Sequence, residues 1–379
     1  MKIIYLADIR LPTEKAHGFQ IMKTCEALVR VGNEITLMIP SWNKATPEEI
    51  FKYYGLTQSF SIEKIPQTKF NLIKFGSIGF ALRSYFFAKK AAGKLGGREF
   101  DAVYTRDEAV AVYRGPTSVF YEMHDVRKGL LQKKAMTRAS GIIAISNGLK
   151  DYCVAQGIDQ SKITVVPDAV DLEEFDIEQN KDDVRHRLGL PKDKKIVLYS
   201  GHLYSWKGAD TLAEAAHYLD ADTVVVFVGG TPWDIESFKN KYRGATSRCH
   251  LDIIGQKPHS EIPLYLKAAD VLVLPNSAKE DISRLYTSPV KLFEYMASGV
   301  PIVASDLPSI REILNEECAV FAKPDDALSL AEKIKYSLAN VSKAVILSNR
   351  ALEEVKKYSW GMRAKHILTF MKMRLNAKQ

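Results

Sequence analysis

The 379-residue chain has no run approaching the roughly 18 consecutive apolar residues that a spanning helix needs, which argues against a helical membrane protein. Its four cysteines, Cys25, Cys153, Cys249 and Cys318, are scattered, without paired or metal-type spacing. That points to reduced core thiols in a cytoplasmic protein rather than a disulfide framework. There is no G-x-G-x-x-G and no Walker A pattern, which argues against a dehydrogenase or a kinase. No short repeat and no low-complexity tract is visible. Asp8 arrives too early for a signal-peptide apolar region, so residues 1–8 read as a first strand. Residues 64–98 contain no acid at all, while holding eight Lys and Arg.

That local deficit belongs to a larger asymmetry. Residues 1–170 carry 24 Lys and Arg against 16 Asp and Glu, whereas residues 171–379 carry 29 of each. The whole excess of +8 lies in the first half and points to an anionic partner there. The length calls for two domains, and the steady alternation of strand and helix patterns makes both α/β.

Apolar strands are expected over residues 3–6, 34–39, 101–104, 118–121, 141–145 and 163–166. A helix over residues 19–31 ends at Gly32-Asn33. This β–loop–α–β opening starts a doubly wound sheet, whose ligands bind at strand carboxyl ends. Gly18 then lies in the loop, where a backbone could approach a phosphate. Residues 173–193 turn polar and mark a linker and a helix. A second series follows, with strands over 196–200, 223–228, 250–254, 271–274 and 301–304. Its helices are expected over 209–219, 234–242, 262–268, 289–297 and 327–338, and a last helix over 359–375.

The most informative stretch is residues 288–306. Ser288-Pro289 suits an N-cap and first turn, a helix follows, Gly299 caps it, and an apolar strand succeeds it. A helix N-terminus leaves backbone N–H groups unpaired and can hold a phosphate. Glu294, about one and a half turns further in, comes within reach of a sugar hydroxyl on the same ligand. That is the outline of a nucleotide site.

This stretch resembles the donor-site signature of retaining GT-B glycosyltransferases of group 1 (glycosyltransferase family 4). Ser200-Gly201-His202-Leu203 with Lys207-Gly208 is similar to the family's Gly-Arg-Leu…Lys-Gly. Val228-Gly229-Gly230, Asp270 to Pro275, Ile145 to Gly148 and Val165 to Asp171 with Phe175 match in the family's order. The resemblance implies two Rossmann-like domains facing a central cleft: residues 1–172 for the acceptor, 173–357 for the nucleotide sugar, and 358–379 crossing back onto the first. It implies a hexose moved from a UDP- or GDP-linked donor with retention, without metal or other cofactor. The leaving phosphate takes the acceptor proton, so no protein base is essential.

On this reading Lys207 neutralises the diphosphate and Glu294 accepts from ribose hydroxyls. Gly18, Gly201, Gly229, Thr287, Ser288, Pro289 and Val290 line the donor site. His124 faces the sugar as a hydrogen-bond partner, and Arg106 is an acceptor-side residue. The chain departs from the pattern twice. Tyr286 stands where the family has its first glutamate, and His202 where it often has a phosphate-binding arginine. Arg284 and Lys291 are the cations available to compensate. Asp220-Ala221-Asp222 resembles a D-x-D metal site but precedes a strand, at the amino edge, and reads as a turn.

The acid-free stretch interleaves aromatics with Lys69, Lys74, Arg83, Lys89, Lys90 and Lys94. A basic amphipathic helix over residues 80–95 suits adsorption to the anionic inner face of a membrane, with Arg127, Lys128, Lys133, Lys134 and Arg138 extending the patch. Nucleic acid is the rival anion, but no binding motif supports it. With the acceptor domain docked, the acceptor is expected to be lipid-linked or a glycan of the cell envelope. A binding-only subunit on the same fold, or a nucleotide-sugar epimerase or hydrolase, is the alternative.

Overall fold

The computed structural model describes residues 1–42, 44–67, 76–112, 118–242 and 249–377. The chain divides into two compact units, Met1–Asp168 with Trp360–Gln379, and Ala169–Ser359.

In the first unit β1 (Lys2–Leu6), β2 (Glu34–Pro40), β3 (Ser61–Ile65), β4 (Ala102–Thr105), β5 (Ser118–Met123), β6 (Gly141–Ala144) and β7 (Ile163–Val165) form one parallel sheet. Its order is β3-β2-β1-β4-β5-β6-β7, so the winding reverses between β1 and β4. The carboxyl ends of those two strands flank the crevice where such sheets take ligands. The C-terminal helix Trp360–Asn376 belongs to this unit. Trp360 meets Phe19 edge-on, and Phe370 meets Phe120 next to Gly141.

The second unit repeats the plan with β8 (Lys195–Ser200), β9 (Thr223–Val228), β10 (His250–Gly255), β11 (Val271–Leu274), β12 (Ile302–Ser305) and β13 (Val320–Ala322). The order is β10-β9-β8-β11-β12-β13, and the reversal falls between β8 and β11. Both faces of this sheet are covered, which is why its strands read as continuous apolar runs. Along β8 and β9, Ile196, Leu198, Val224 and Val226 face one core. Val197, Tyr199, Val225 and Phe227 face the other. Each buried leucine- or valine-sized side chain contributes about 1.5–3 kcal/mol through the apolar area it removes from water.

The two edge strands β3 and β13 have no counterpart in the sequence reading. β3, Ser-Ile-Glu-Lys-Ile, carries two charges, and β13 has three residues. Edge strands are commonly short or charged, which blunts pairing with other chains and also erases the apolar run. Three helix boundaries also move. The first helix is Ala16–Arg30, the basic helix is Gly76–Leu95, and the helix after Ser288 is Val290–Ala297.

Candidate functional site

In the second unit the site is built on the carboxyl ends of β8 and β9. Ser200 pairs with Val228 across the ladder, and Gly201 N–H donates to Val228 O at 2.8 Å. The chain then bends through Gly201 (φ +130°) and Gly229 (φ +126°). A Cβ on Gly229 would lie 2.4 Å from the Gly201 carbonyl oxygen, so the two backbones meet only because the side chain is absent. Lys207 ends the turn Ser205–Lys207, and Gly208 (φ +73°) starts the following helix. Gly208 touches the end of β11 so closely that a Cβ would stand 1.7 Å from Pro275 O.

The helix Val290–Ala297 is tied to the same edge. The Tyr295 hydroxyl accepts from Ser200 N–H at 2.7 Å. Pro289, in extended conformation, is the N-cap and makes no side-chain cap bond. This corrects the expected Ser288 cap. Proline before the first turn cannot offer a capping oxygen, and Ser288 is buried one residue further out.

Two ammonium groups converge here. Lys291 is only 9 % exposed, its Nζ lies 4.0 Å from the centre of the Tyr199 ring, and it has no hydrogen-bond partner among the described residues. Burial pushes its pKa well below the ordinary lysine value; repulsion from Lys207 adds to this and attraction to Glu294 opposes it. Burial likewise lowers Lys207 to about 8. Its Nζ sits 5.2 Å from the Trp206 ring and 5.7 Å from the Tyr204 ring. Two poorly hydrated amines, whose protonation burial disfavours, form a site short of negative charge. Buried Glu294 accepts a 3.0 Å hydrogen bond from His259 Nε2.

The other expected donor residues are placed less centrally. The His202 ring stacks on Tyr204 with centroids 4.9 Å apart, and its Nδ1 lies 3.8 Å from Asp234 Oδ2. Arg284, on the turn Ile282–Tyr286, is exposed and bonds Asp281 through Nη2 at 2.7 Å, so its charge is answered at the surface. Tyr286 and Thr287 are half-buried between that turn and Pro289. Asp220 accepts from Lys335 at 3.1 Å in the turn before β9, at the amino edge.

In the first unit Gly18 lies inside the first turn of its helix, not in the loop. A Cβ there would stand 2.4 Å from the Tyr54 hydroxyl oxygen and 2.5 Å from Thr13 Cγ2, so close packing accounts for this glycine. Arg106, just after β4, donates through Nη1 to Gln20 Oε1 at 3.0 Å, and Gln20 donates to Asp168 at 2.6 Å. His124, just after β5, contacts the Glu122 carboxylate through Nε2. Burial, reinforced by Arg106, lowers His124 to about 4, so the ring is neutral at physiological pH. Burial pushes Glu122 upward, yet Arg363 (3.1 Å) and His124 hold its carboxyl well below the usual range. An ionised carboxylate only accepts, so the proton sits on Nε2 and Nδ1 is left as an acceptor.

Residues that sequence reasoning missed include Glu122, His259 and Arg363. Glu122 and Arg363 sit within apolar patterns, and His259 lies in a polar loop with no motif of its own.

The basic helix differs most from expectation. Lys69 and Lys74 lie outside the described residues. Arg83 turns inward, its guanidinium 4.2 Å from the Trp42 ring and 3.8 Å from buried Asp8. Lys90 donates to Pro66 O, and Lys94 pairs with Glu63 at 2.9 Å. The exposed stripe of this helix is Leu82, Tyr85, Phe86 and Lys89. Leu130, Leu131, Lys133 and Lys134 are exposed on the helix Leu130–Arg138. No described helix is long and apolar enough to cross a membrane.

Residues 180–354 match the family model described as glycosyl transferases group 1, and residues 19–174 match that of glycosyltransferase family 4. A Bacillus subtilis protein named as a teichuronic acid biosynthesis glycosyltransferase, TuaC, is 31% identical over 204 residues, 53% of this chain and 48% of its own. The Escherichia coli UDP-Gal:alpha-D-GlcNAc-diphosphoundecaprenol alpha-1,3-galactosyltransferase is 31% identical over 173 residues, 44% of this chain and 42% of its own. The chain thus spans about half the length of the curated relatives it matches. Among solved structures, Anabaena HepE in complex with UDP superposes with a TM-score of 0.77 at 16% identity, over 98% of this chain and 100% of that one.

Proposed function

Since the chain belongs to the group 1 glycosyl transferases and has their two-domain α/β GT-B fold, we propose that it moves a hexose from a UDP- or GDP-linked donor to a lipid-linked glycan or lipid acceptor, with retention and without a metal. The observation that carries the reading is the buried, unbonded ammonium of Lys291 beside Lys207, on the helix that presents Glu294. A diphosphate supplies the missing negative charge, and the first-turn amides of that helix add donors to it. Glu294 accepts from the ribose.

In the transfer, the bond between C1 of the hexose and the diphosphate oxygen breaks while a bond from the acceptor oxygen to C1 forms. The leaving diphosphate keeps the electron pair, and the acceptor's proton passes to its phosphate oxygen. Lys207 and Lys291 stabilise the charge that develops there, an electrostatic contribution of the kind that removing one donor shows to be about 2.7–4 kcal/mol elsewhere. His124 Nδ1 accepts from a sugar hydroxyl. The relative named for a diphosphoundecaprenol substrate supports a lipid-linked acceptor.

The first unit docks on the anionic inner membrane face through Leu82, Tyr85, Phe86 and Lys89, together with Leu130, Leu131, Lys133 and Lys134. The exposed face is an apolar stripe edged with lysine, the aromatics of the expected basic amphipathic helix being more prominent there than its cations. Incubation with UDP- and GDP-hexoses and a polyprenyl-diphosphate sugar tests the assignment. Acceptor-dependent release of nucleoside diphosphate supports it. Release that is equal without acceptor identifies a hydrolase, and no release from any donor identifies a binding-only protein.

A further inference from the structure

His259 precedes the helix Ile262–Ala268, on a turn following β10, away from every motif that marks the donor site. Both its ring nitrogens face carboxylates. Nε2 lies 3.0 Å from Glu294 Oε1, and Nδ1 lies 3.4 Å from Glu174 Oε2. Glu174 belongs to the turn Leu172–Phe175, near the start of the second unit. A ring held between two carboxylates donates from both nitrogens and is therefore an imidazolium. Burial opposes that charge, but bonding to Glu174 and Glu294 outweighs it and raises His259 to about 9. Glu294 itself is buried, with Oε1 taken by His259.

We propose that His259 is a positioning residue for nucleotide recognition: clamped by Glu174, it holds Glu294 Oε1 and so aims Oε2 at the ribose hydroxyls of the donor. The inference rests on Glu294 being the ribose acceptor. Without the clamp a buried glutamate on this helix keeps its rotamer freedom, so its carboxylate is not aimed. Lys207 and Lys291 meet the diphosphate, and of the two only Lys291 senses Glu294, so loss of the clamp falls first on the ribose contacts, which distinguishes a clamp from a general structural support.

The test compares UDP, GDP and ADP, each beside its 2′,3′-dideoxy form, on the full chain and on His259→Ala, His259→Gln and Glu174→Gln, with circular dichroism confirming that the variants fold. For whichever base binds, His259→Ala weakens the ribonucleotide about tenfold, the scale of one hydrogen bond to a charged group. It leaves the dideoxynucleotide nearly unchanged. His259→Gln keeps a donor for Glu294 and recovers part of the loss, and Glu174→Gln shows a smaller loss with the same ribose selectivity. Equal weakening of ribo and dideoxy forms, or no weakening of either, overturns the clamp while the donor site stands. A wild type that binds nucleotide but does not distinguish ribose from dideoxyribose overturns the role of Glu294, and the clamp with it.

Discussion

If the second unit binds nucleotide as proposed, binding should draw protons into it, because burial holds Lys207 and Lys291 below their ordinary pKa and repulsion from Lys207 lowers Lys291 further. Lys207, near 8, is about 90% protonated at pH 7.0 and about half protonated at pH 8.0. A bound diphosphate restores full protonation, so Lys207 alone takes up about 0.1 proton at pH 7.0 and about 0.5 at pH 8.0. Lys291, more deeply buried and also lowered, adds to that uptake. Because binding takes up protons, affinity falls as pH rises, and it falls most steeply above the free-state value of Lys207. Calorimetric titration with nucleoside diphosphate, in buffers of differing ionisation enthalpy, reads the uptake directly. Lys291→Met should reduce it to the Lys207 share, rising from about 0.1 to about 0.5 over that pH unit. An uptake unchanged by Lys291→Met, or none at pH 8.0, would refute the claim that these lysines meet the phosphates.

Three further outcomes follow from other parts of the molecule. Arg363→Met leaves Glu122 buried without its cation, since both side chains are 3% exposed, and should cost about 3–5 kcal/mol in urea unfolding. Glu122's lowered pKa gives stability that is present above its unfolded value near 4.3 and lost as pH falls below it; that acid-side slope should shrink in the variant. Gly208→Ala meets Pro275 O at 1.7 Å with φ at +73°, and should lose at least about 1–3 kcal/mol, read by the same unfolding assay. Replacing Leu82, Tyr85 and Phe86 together by serine should reduce co-sedimentation with anionic vesicles at least about tenfold. Undiminished sedimentation would place docking elsewhere.

Much of the fold is written in local patterns. The apolar runs of β8, β9 and β11 are buried on both faces, so period and length alone mark them. The glycine turn at Gly201, Lys207 and the helix start at Gly208 are legible too, because they lie close together in sequence. What was not legible depends on distant partners. Glu122 sits in the strand Ser-Val-Phe-Tyr-Glu-Met, and Arg363, from the far end of the chain, with His124 and Tyr104, shows why a carboxylate can be buried there. Arg83, Lys90 and Lys94 read as a basic face because nothing local reveals Asp8, Pro66 and Glu63 waiting opposite them. His259 lies in a polar loop, and its meaning comes from Glu174 and Glu294, which chain order keeps apart. At two sheet edges, β3 carries two charges that break its apolar run and β13 has only three residues, too short to mark a strand by pattern.

The central claim is that the second unit holds a nucleoside diphosphate through Lys207, Lys291 and Glu294. Its most direct test is a thermal-shift titration with UDP, GDP and ADP on the wild type, Lys207→Ala and Glu294→Ala. The account predicts a melting-temperature rise with UDP or GDP that is lost or greatly reduced in both variants. No rise with any of the three nucleotides, or a rise that both variants retain in full, would contradict it.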